Sequence, residues 1–250
     1  MKKLIVDSLR RTGFSIVRVP RLRGRTRILY SRAEIAELEH DLDGLRAAGK
    51  DYNGWDNRAA VRKYLTNERI NFYHELISIC GEKGVDFGDR RILDSGTCTG
   101  YLLRVLGKSF PGCRLAGCDM QDMFVNLASS LVPCAEIFKG NVMEMKTADP
   151  YDIIFCTEVL EHIADTETPI PTILNLLTAT GTLILTVPNG RYDTSPAGQQ
   201  FDDGVSHTGH VNFWGEESWG YYIRRLARPC AVTTGTLARE TKLFAIILKG

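Results

Sequence analysis

The amino-acid sequence predicts an α/β protein whose mostly parallel β-sheet is covered by helices on both faces. From residue 90 onward, short apolar runs alternate with stretches of helical periodicity, as expected for parallel strands joined by helices. Polar residues follow the ends of these apolar runs, and ligands bind at the carboxyl ends of the strands in such sheets. Two further apolar runs, at 230–239 and 242–249, predict a pair of strands at the end of the chain.

The predicted elements follow in order along the chain. Strands are expected at 91–94, 114–119, 135–139, 151–156 and 181–187, and helices near 101–109, 121–131, 171–177 and 216–227. A long polar loop after Pro188 separates the fifth strand from the last helix.

Length and composition are those of one α/β domain with an added segment. The chain has 250 residues and a formal net charge of +1, so no whole-protein field favours nucleic acid or a membrane surface. No apolar run approaches the ~18 residues that a membrane span requires, and the first residues do not resemble a secretory signal. The seven scattered cysteines are expected to be reduced in a cytoplasmic protein.

Residues 1–57 are predicted to form a basic N-terminal arm and a helical extension, and residues 58–250 the main domain. We expect the arm to be a solvated tail, and the alternatives are an anionic partner or a homodimer contact. Nucleic acid is not the expected partner, because few aromatic residues lie between the arginines to stack on bases. An amphipathic helix at 58–80 is expected to be the first helix of the domain or a lid.

A glycine-containing turn follows the first predicted strand. Residues 94–100 read DSGTCTG, and a helix is predicted directly after them. Gly96 and Gly100 allow a tight turn and a close approach of the backbone to a ligand, and the start of the helix favours an anionic group. In isolation, the same glycines are also typical of a turn that binds nothing.

Polar residues also follow the next two strands. Asp119, at the end of the second strand, is placed to accept hydrogen bonds from ribose hydroxyls. After the third strand, we expect the Asn141 side-chain oxygen to hold an adenine amino group and the Val142 N–H to donate to the ring. A dinucleotide-dependent oxidoreductase is disfavoured, because the turn lacks the Gly-x-Gly-x-x-Gly pattern.

These motifs resemble those of class I S-adenosylmethionine-dependent methyltransferases. The resemblance rests on the DSGTCTG turn, the acid after the second strand, the Gly140-Asn141 pair and the run EVLEH at 158–162, and it covers about residues 70–250. It implies a Rossmann-like seven-stranded sheet with a C-terminal antiparallel hairpin and an N-terminal helical lid. The family usually has a third glycine where this chain has Cys98.

The resemblance also implies how the chain binds S-adenosylmethionine. Asp94, Gly96 and Gly100 are expected to hold the methionine moiety, and Asp119 the ribose. The full set of expected cofactor contacts is Asp94, Gly96, Thr97, Gly100, Asp119, Met120, Asn141, Val142 and Glu158.

Two histidines are candidates for a general base. His210 lies in the loop after the fifth strand and is the first candidate, and His162, after the fourth strand, is the second. Imidazole titrates near neutral pH, and a base contributes ~10²–10⁴-fold when the acceptor's proton must leave. The alternative for His162 is that it caps the next helix and shapes the pocket.

Four residues are expected to contact the substrate: Tyr64, His207, Phe213 and Trp214. For Tyr64 and the two other aromatic residues, packing against the domain is the alternative.

A divalent metal is an alternative use of the same residues. Glu158, Glu161, His162 and His210 resemble the metal-binding pattern of small-RNA 3′-end 2′-O-methyltransferases and of certain ubiquinone-pathway O-methyltransferases. Carboxylates and imidazoles of this kind suit a cation that orients two substrate oxygens. We favour a site without metal, since metal-free members with this run are common.

The sequence therefore predicts transfer of a methyl group to an oxygen or nitrogen of a small metabolite, such as a sugar, a lipid-linked intermediate or a natural-product intermediate. The alternatives are a metal-assisted RNA 2′-O-methyltransferase and a non-catalytic binding module of the same fold. The intact set of Asp94, Asp119 and Asn141 argues against the binding module.

Overall fold

The computed structural model describes residues 14–16, 29–31, 67–195 and 209–250. Most described residues surround one seven-stranded sheet. Its strands are β3 (Arg91–Ser95), β4 (Arg114–Asp119), β5 (Glu136–Lys139), β6 (Tyr151–Thr157), β7 (Leu177–Pro188), β8 (Ala231–Leu237) and β9 (Lys242–Leu248). The short strands β1 (Phe14–Ile16) and β2 (Leu29–Ser31) pair with each other in a separate antiparallel sheet.

In the part of the chain that the structure describes, five α-helices and one 3₁₀ helix connect or flank these strands. They are α1 (Asn67–Glu82), α2 (Tyr101–Ser109), α3 (Asp122–Leu131), the 3₁₀ helix Leu160–His162, α4 (Pro169–Asn175) and α5 (Glu216–Leu226). None of the helices in the described ranges is long and apolar enough to cross a membrane.

The strand order is β5-β4-β3-β6-β7-β9-β8. Strand β3 pairs in parallel with both β4 and β6, so the direction of winding reverses between β3 and β6. Strand β9 is antiparallel to both β7 and β8. The predicted Rossmann-like sheet with its C-terminal antiparallel hairpin is thus confirmed. A reversal of this kind opens a crevice at the carboxyl ends of the strands.

Both faces of the sheet are buried at its centre, which explains why strands such as β3 and β6 carry successive buried residues rather than an alternating pattern. In β3, Ile92 joins the core on the side of α1, α2 and α3, whereas Leu93 joins the core on the side of α4 and α5. Phe155 and Cys156 divide in the same way in β6.

The helix α1 packs directly on the sheet. Its side chains Phe72, Leu76, Ile77 and Cys80 are buried in the first core. The described part of the predicted 58–80 helix therefore packs in the core as the first helix of the domain. Residues 58–66, including Tyr64, and most of the basic arm lie outside the described residues, and the division at residue 57 stays a prediction.

Strand β7 begins at Leu177 rather than near residue 181, and α4 ends before it. Leu177 pairs with Tyr151 ahead of an irregularity in the register between β6 and β7. The sequence prediction ended its helix at residue 177 and began its strand at 181, because apolar spacing alone does not distinguish the end of a short helix from the start of a strand.

Candidate active site

The glycine-containing turn follows β3, which borders the reversal of the sheet, and it is hydrogen-bonded to the end of β4. Gly96 N and Thr97 N both donate to the Cys118 carbonyl oxygen at 2.9 Å. Gly96 has φ 80°, and a Cβ atom there would lie 2.4 Å from Val159 Cγ2. Only glycine fits this position, and the turn is held against the segment that follows β6.

Cys98 adopts a backbone conformation that favours glycine. Its φ is 49°, in the left-handed region, which costs a residue with a Cβ atom ~1–2 kcal/mol. The backbone N–H of Cys98 donates to Asp119 Oδ2 at 3.0 Å, which helps to hold this conformation. The turn therefore keeps its shape without the third glycine.

Asp119, at the end of β4, accepts hydrogen bonds from the backbone of two neighbouring segments. Its Oδ2 accepts the Cys98 N–H and its Oδ1 accepts the Gln121 N–H, both at 3.0 Å. Burial raises the pKa of this carboxyl to about 6. Because a carboxylate has about four acceptor positions, the same side chain retains positions for the two hydroxyls of a ribose.

Asp94 presents an atom that fits a cationic ligand. It is buried, Thr97 Oγ1 donates to its Oδ2 at 3.0 Å, and burial raises its pKa to about 7. Its Oδ1 is also buried and has no hydrogen-bond partner within the described part of the chain. A buried carboxylate oxygen is unfavourable without a donor, so it suits the amino group of a methionine moiety.

The residues predicted to contact adenine, Asn141 and Val142, follow the end of β5. Asn141 Oδ1 accepts the Met143 N–H at 2.9 Å, so the side chain forms a local turn. Val142 contributes its side chain to the second core, and Met120, beside Asp119, is half-buried. Asn141 Oδ1 can therefore accept an adenine amino group only at its second acceptor position, because the first already shapes the loop.

Glu158 is occupied by contacts within the sheet. It has φ 58°, its carboxylate forms an ion pair with Lys242 of β9, and it accepts a hydrogen bond from Thr186 Oγ1 at 3.2 Å. These contacts join the end of β6 to β7 and β9. They give Glu158 a structural role beside any contact with a cofactor.

His162 and His210 lie in edge-to-face contact, with ring centroids 4.8 Å apart and planes at 80°. His162 Nδ1 donates to the Gly209 carbonyl oxygen at 3.0 Å. His210 Nδ1 lies 2.6 Å from Asp193 Oδ2, and the two side chains are only 13% and 5% exposed. Since an ionised carboxylate only accepts hydrogen bonds, the neutral His210 ring carries its proton on Nδ1 and its lone pair on Nε2.

Three of the four candidate metal ligands lie together. Glu161, which is buried, His162 and His210 each offer a ligand atom, and these atoms lie within 4.8 Å of one another. Glu158, the fourth candidate, is not part of this cluster. Two imidazoles and one carboxylate can hold a divalent transition metal, with Asp193 and the Gly209 carbonyl supporting the two rings.

The two aromatic residues after His210 have different environments. Trp214 is 8% exposed, and its ring centroid lies 5.4 Å from that of Trp219 and 5.2 Å from that of Tyr222. It therefore belongs to the core, as the packing alternative stated. Phe213 is 49% exposed, with its centroid 6.2 Å from that of His210, and it stays a candidate substrate contact. His207 lies outside the described residues.

Asp193 was missed by the sequence analysis. It precedes His210 by 17 positions in a polar loop, and no motif links the two residues. Its Oδ1 accepts the Ser195 N–H at 2.9 Å. Burial alone raises the pKa of Asp193, but the hydrogen bonds from His210 and Ser195 outweigh burial and hold the pKa below its ordinary value.

Backbone hydrogen bonds fix the segments that carry this pair. Gly190 N donates to the Trp214 carbonyl at 2.7 Å, so the turn after β7 is tied to the segment after His210. Val211 N donates to the Glu161 carbonyl at 2.8 Å, which ties that segment to the 3₁₀ helix. Because Val159, just before this helix, touches Gly96, the histidines are connected to the glycine turn through a short series of contacts.

The chain belongs to a family of methyltransferase domains, whose family model matches residues 51–225. The class I methyltransferase prediction is thereby confirmed at the level of the family, and the fold agrees with it. A solved S-adenosylmethionine-dependent methyltransferase from Aquifex aeolicus superposes with a TM-score of 0.60 at 14% identity, over 80% of this chain and 100% of that one.

Two curated relatives are similar over shorter stretches. The trans-aconitate 2-methyltransferase of Klebsiella pneumoniae (strain 342) is 26% identical over 104 residues, which are 42% of this chain and 41% of that one. The ubiquinone biosynthesis O-methyltransferase of Marinobacter nauticus is 26% identical over 129 residues, 48% of this chain and 50% of that one. The chain thus spans half or less of the length of these relatives.

Proposed function

We propose that this protein transfers a methyl group from S-adenosylmethionine to an oxygen or nitrogen of a small metabolite, such as a sugar, a lipid-linked intermediate or a natural-product intermediate. Membership of the methyltransferase family supports the reaction, and the named activities of the two curated relatives support a small molecule as acceptor. When bound, the cofactor supplies a methyl group that is already activated on a sulfonium centre.

The chain's own residues provide a place for this cofactor. Asp94 would hold the amino group of the methionine moiety through its buried Oδ1, and Asp119 would accept the ribose hydroxyls while holding the turn. Gly96 lets the turn pack against Val159, which fixes the position of the turn in the crevice. Since the donor is activated, the protein must mainly align the acceptor and accept its proton.

The observation that carries the proposal for the transfer step is the setting of His210. Its Nδ1 is held by Asp193, which directs the Nε2 lone pair away from that carboxylate. An imidazole in this tautomer can take a proton from an acceptor hydroxyl or amine. Phe213, which is half exposed beside His210, offers an apolar surface that can orient the acceptor and exclude water.

The test is a methyl-transfer screen with isotopically labelled S-adenosylmethionine against metabolite pools, with and without RNA. Incorporation into an RNA-free metabolite fraction is expected. His210→Ala should lower turnover of that fraction by ~10²-fold or more, and raising the pH should restore part of it, because an ionised acceptor needs no base. Affinity for S-adenosylhomocysteine should change by no more than about threefold.

Two results would contradict the proposal. Incorporation only when RNA is present would assign an RNA substrate instead. Near-normal turnover of His210→Ala, together with a large loss in His162→Ala, would transfer the role of base to His162.

A metal-assisted reaction is the second candidate, and the clustering of Glu161, His162 and His210 favours it. In that case the imidazoles would bind the cation, and the cation would orient acceptor oxygens. The base without metal is preferred, because Glu158, the remaining predicted ligand, is paired with Lys242.

A further inference from the structure

We propose that Asp193 is the positioning residue of a carboxylate–imidazole pair with His210, and that this pair adapts the site to a hydroxyl acceptor rather than an amine. The inference rests on the proposed methyl-transfer function and narrows its acceptor class. It starts from the short contact between Asp193 Oδ2 and His210 Nδ1, which lie 2.6 Å apart with both side chains largely buried.

The environment of Asp193 fixes the direction of this contact. Its second oxygen accepts the Ser195 N–H, so rotation of the carboxylate would break a backbone hydrogen bond. The turn that carries Asp193 is also anchored, because Asn189 Oδ1 accepts the Arg191 N–H and Asn189 Nδ2 donates to the Glu240 carbonyl at 2.9 Å. Asp193 is therefore held in place before any acceptor binds.

The partners of His210 come from two other elements. His162 and Glu161 face it from the 3₁₀ helix, and Phe213 lies beside it on its own segment. Asp193 fixes the position of the proton on the ring, because its Oδ2 lies 2.6 Å from His210 Nδ1 and accepts the hydrogen bond.

The type of acceptor follows from the need for such a base. A hydroxyl oxygen becomes a strong nucleophile only as its proton leaves, whereas a neutral amine already carries the attacking lone pair. In the reaction, the acceptor O–H bond breaks and its proton passes to His210 Nε2. The oxygen forms a bond to the methyl carbon, and the electron pair of the methyl–sulfur bond stays on sulfur. Asp193 then stabilises the positive charge on the ring.

Asp193→Asn is the decisive variant. Its Oδ1 can still accept the Ser195 N–H, but its NH₂ group then faces His210 Nδ1 and can only donate. The neutral ring should therefore move its proton from Nδ1 to Nε2. Long-range ¹H–¹⁵N correlation spectra of histidine-labelled protein report the tautomer, and the His210 signals are identified by their absence in His210→Ala. This measurement requires no acceptor.

The expected activity follows from the tautomer. With Nε2 protonated, Asp193→Asn should lose ~10²–10⁴-fold in turnover of the acceptor fraction, and Asp193→Glu should recover part of this loss and the Nδ1–H tautomer. Turnover of the variants and of the unmutated protein is compared in excess chelator, so that loss of a bound cation cannot account for the difference. Asp165→Asn is the matched control, because Asp165 also accepts the N–H two residues on, from Glu167, and is exposed.

The outcomes separate the inference from the function on which it rests. An unchanged tautomer or unchanged turnover in Asp193→Asn overturns the inference while leaving methyl transfer intact. Methylation of an amine in the responsive metabolite fraction would overturn the acceptor class. Failure of the unmutated protein to bind S-adenosylhomocysteine in calorimetry would instead refute the proposed function.

Discussion

Replacement of Asp119 by asparagine tests whether one carboxylate both holds the glycine-containing turn and binds a ribose. Asp119 accepts two backbone N–H groups, from Cys98 and Gln121, each at 3.0 Å. Asparagine has nearly the same shape, and its single carbonyl oxygen can keep one of these bonds while its NH₂ group faces the other donor. A buried N–H without an acceptor costs ~1–3 kcal/mol. We expect the free energy of unfolding to fall by up to that amount, since removal of an unfavourably buried charge offsets part of it.

The effect on cofactor binding follows from the same atoms. The variant loses one of the two oxygens that can accept a ribose hydroxyl, which should weaken binding by ~1–3 kcal/mol, or roughly 5- to 150-fold in Kd. Calorimetric titration with S-adenosylhomocysteine measures this change, and urea unfolding measures stability. Asp122→Asn is the control, because Asp122 starts the next helix and pairs with the exposed Lys139. Wild-type affinity in Asp119→Asn would refute the reasoning.

Three further predictions concern the same crevice. Affinity for S-adenosylhomocysteine should fall about tenfold from pH 8 to pH 6, because burial raises the pKa of Asp94 to about 7 and a cationic amino group binds only the ionised carboxylate. Calorimetry at the two pH values should detect this trend, and Asp94→Asn should lose it. Cys98→Val should lower the free energy of unfolding by ~2 kcal/mol or more, while Cys98→Gly changes it by less than ~1 kcal/mol, as measured by urea titration, because φ at this position is 49°. Turnover should persist in excess chelator, whereas its loss, with recovery on adding a divalent cation, would assign the site of Glu161, His162 and His210 to a metal.

The strand ends could be predicted from the sequence, because they depend on local signals. Apolar runs bounded by glycine or aspartate place Asp94, Asp119 and Asn141 at or just after the ends of strands, and the parallel pairing of β3, β4 and β5 makes these ends neighbours. The direction of the sheet then brings these residues to one crevice.

The partners of the side chains could not be predicted in the same way. Glu158 pairs with Lys242, and Asp193 with His210, across separations of 84 and 17 positions that no motif records. Trp214 illustrates a second limit. An aromatic residue in a loop can line a pocket or pack in a core. For Trp214, the packing against Trp219 and Tyr222 shows that it lies in the core.

The hydrogen bond between Gly190 and Trp214 has an evolutionary consequence. It closes the chain just outside the Asp193–His210 pair, so the segments that carry the two members of the pair are anchored to each other. Substitutions that weaken this closure would therefore displace the base. Selection for proton transfer then acts on Gly190 and on the segment after His210 as well as on the pair itself.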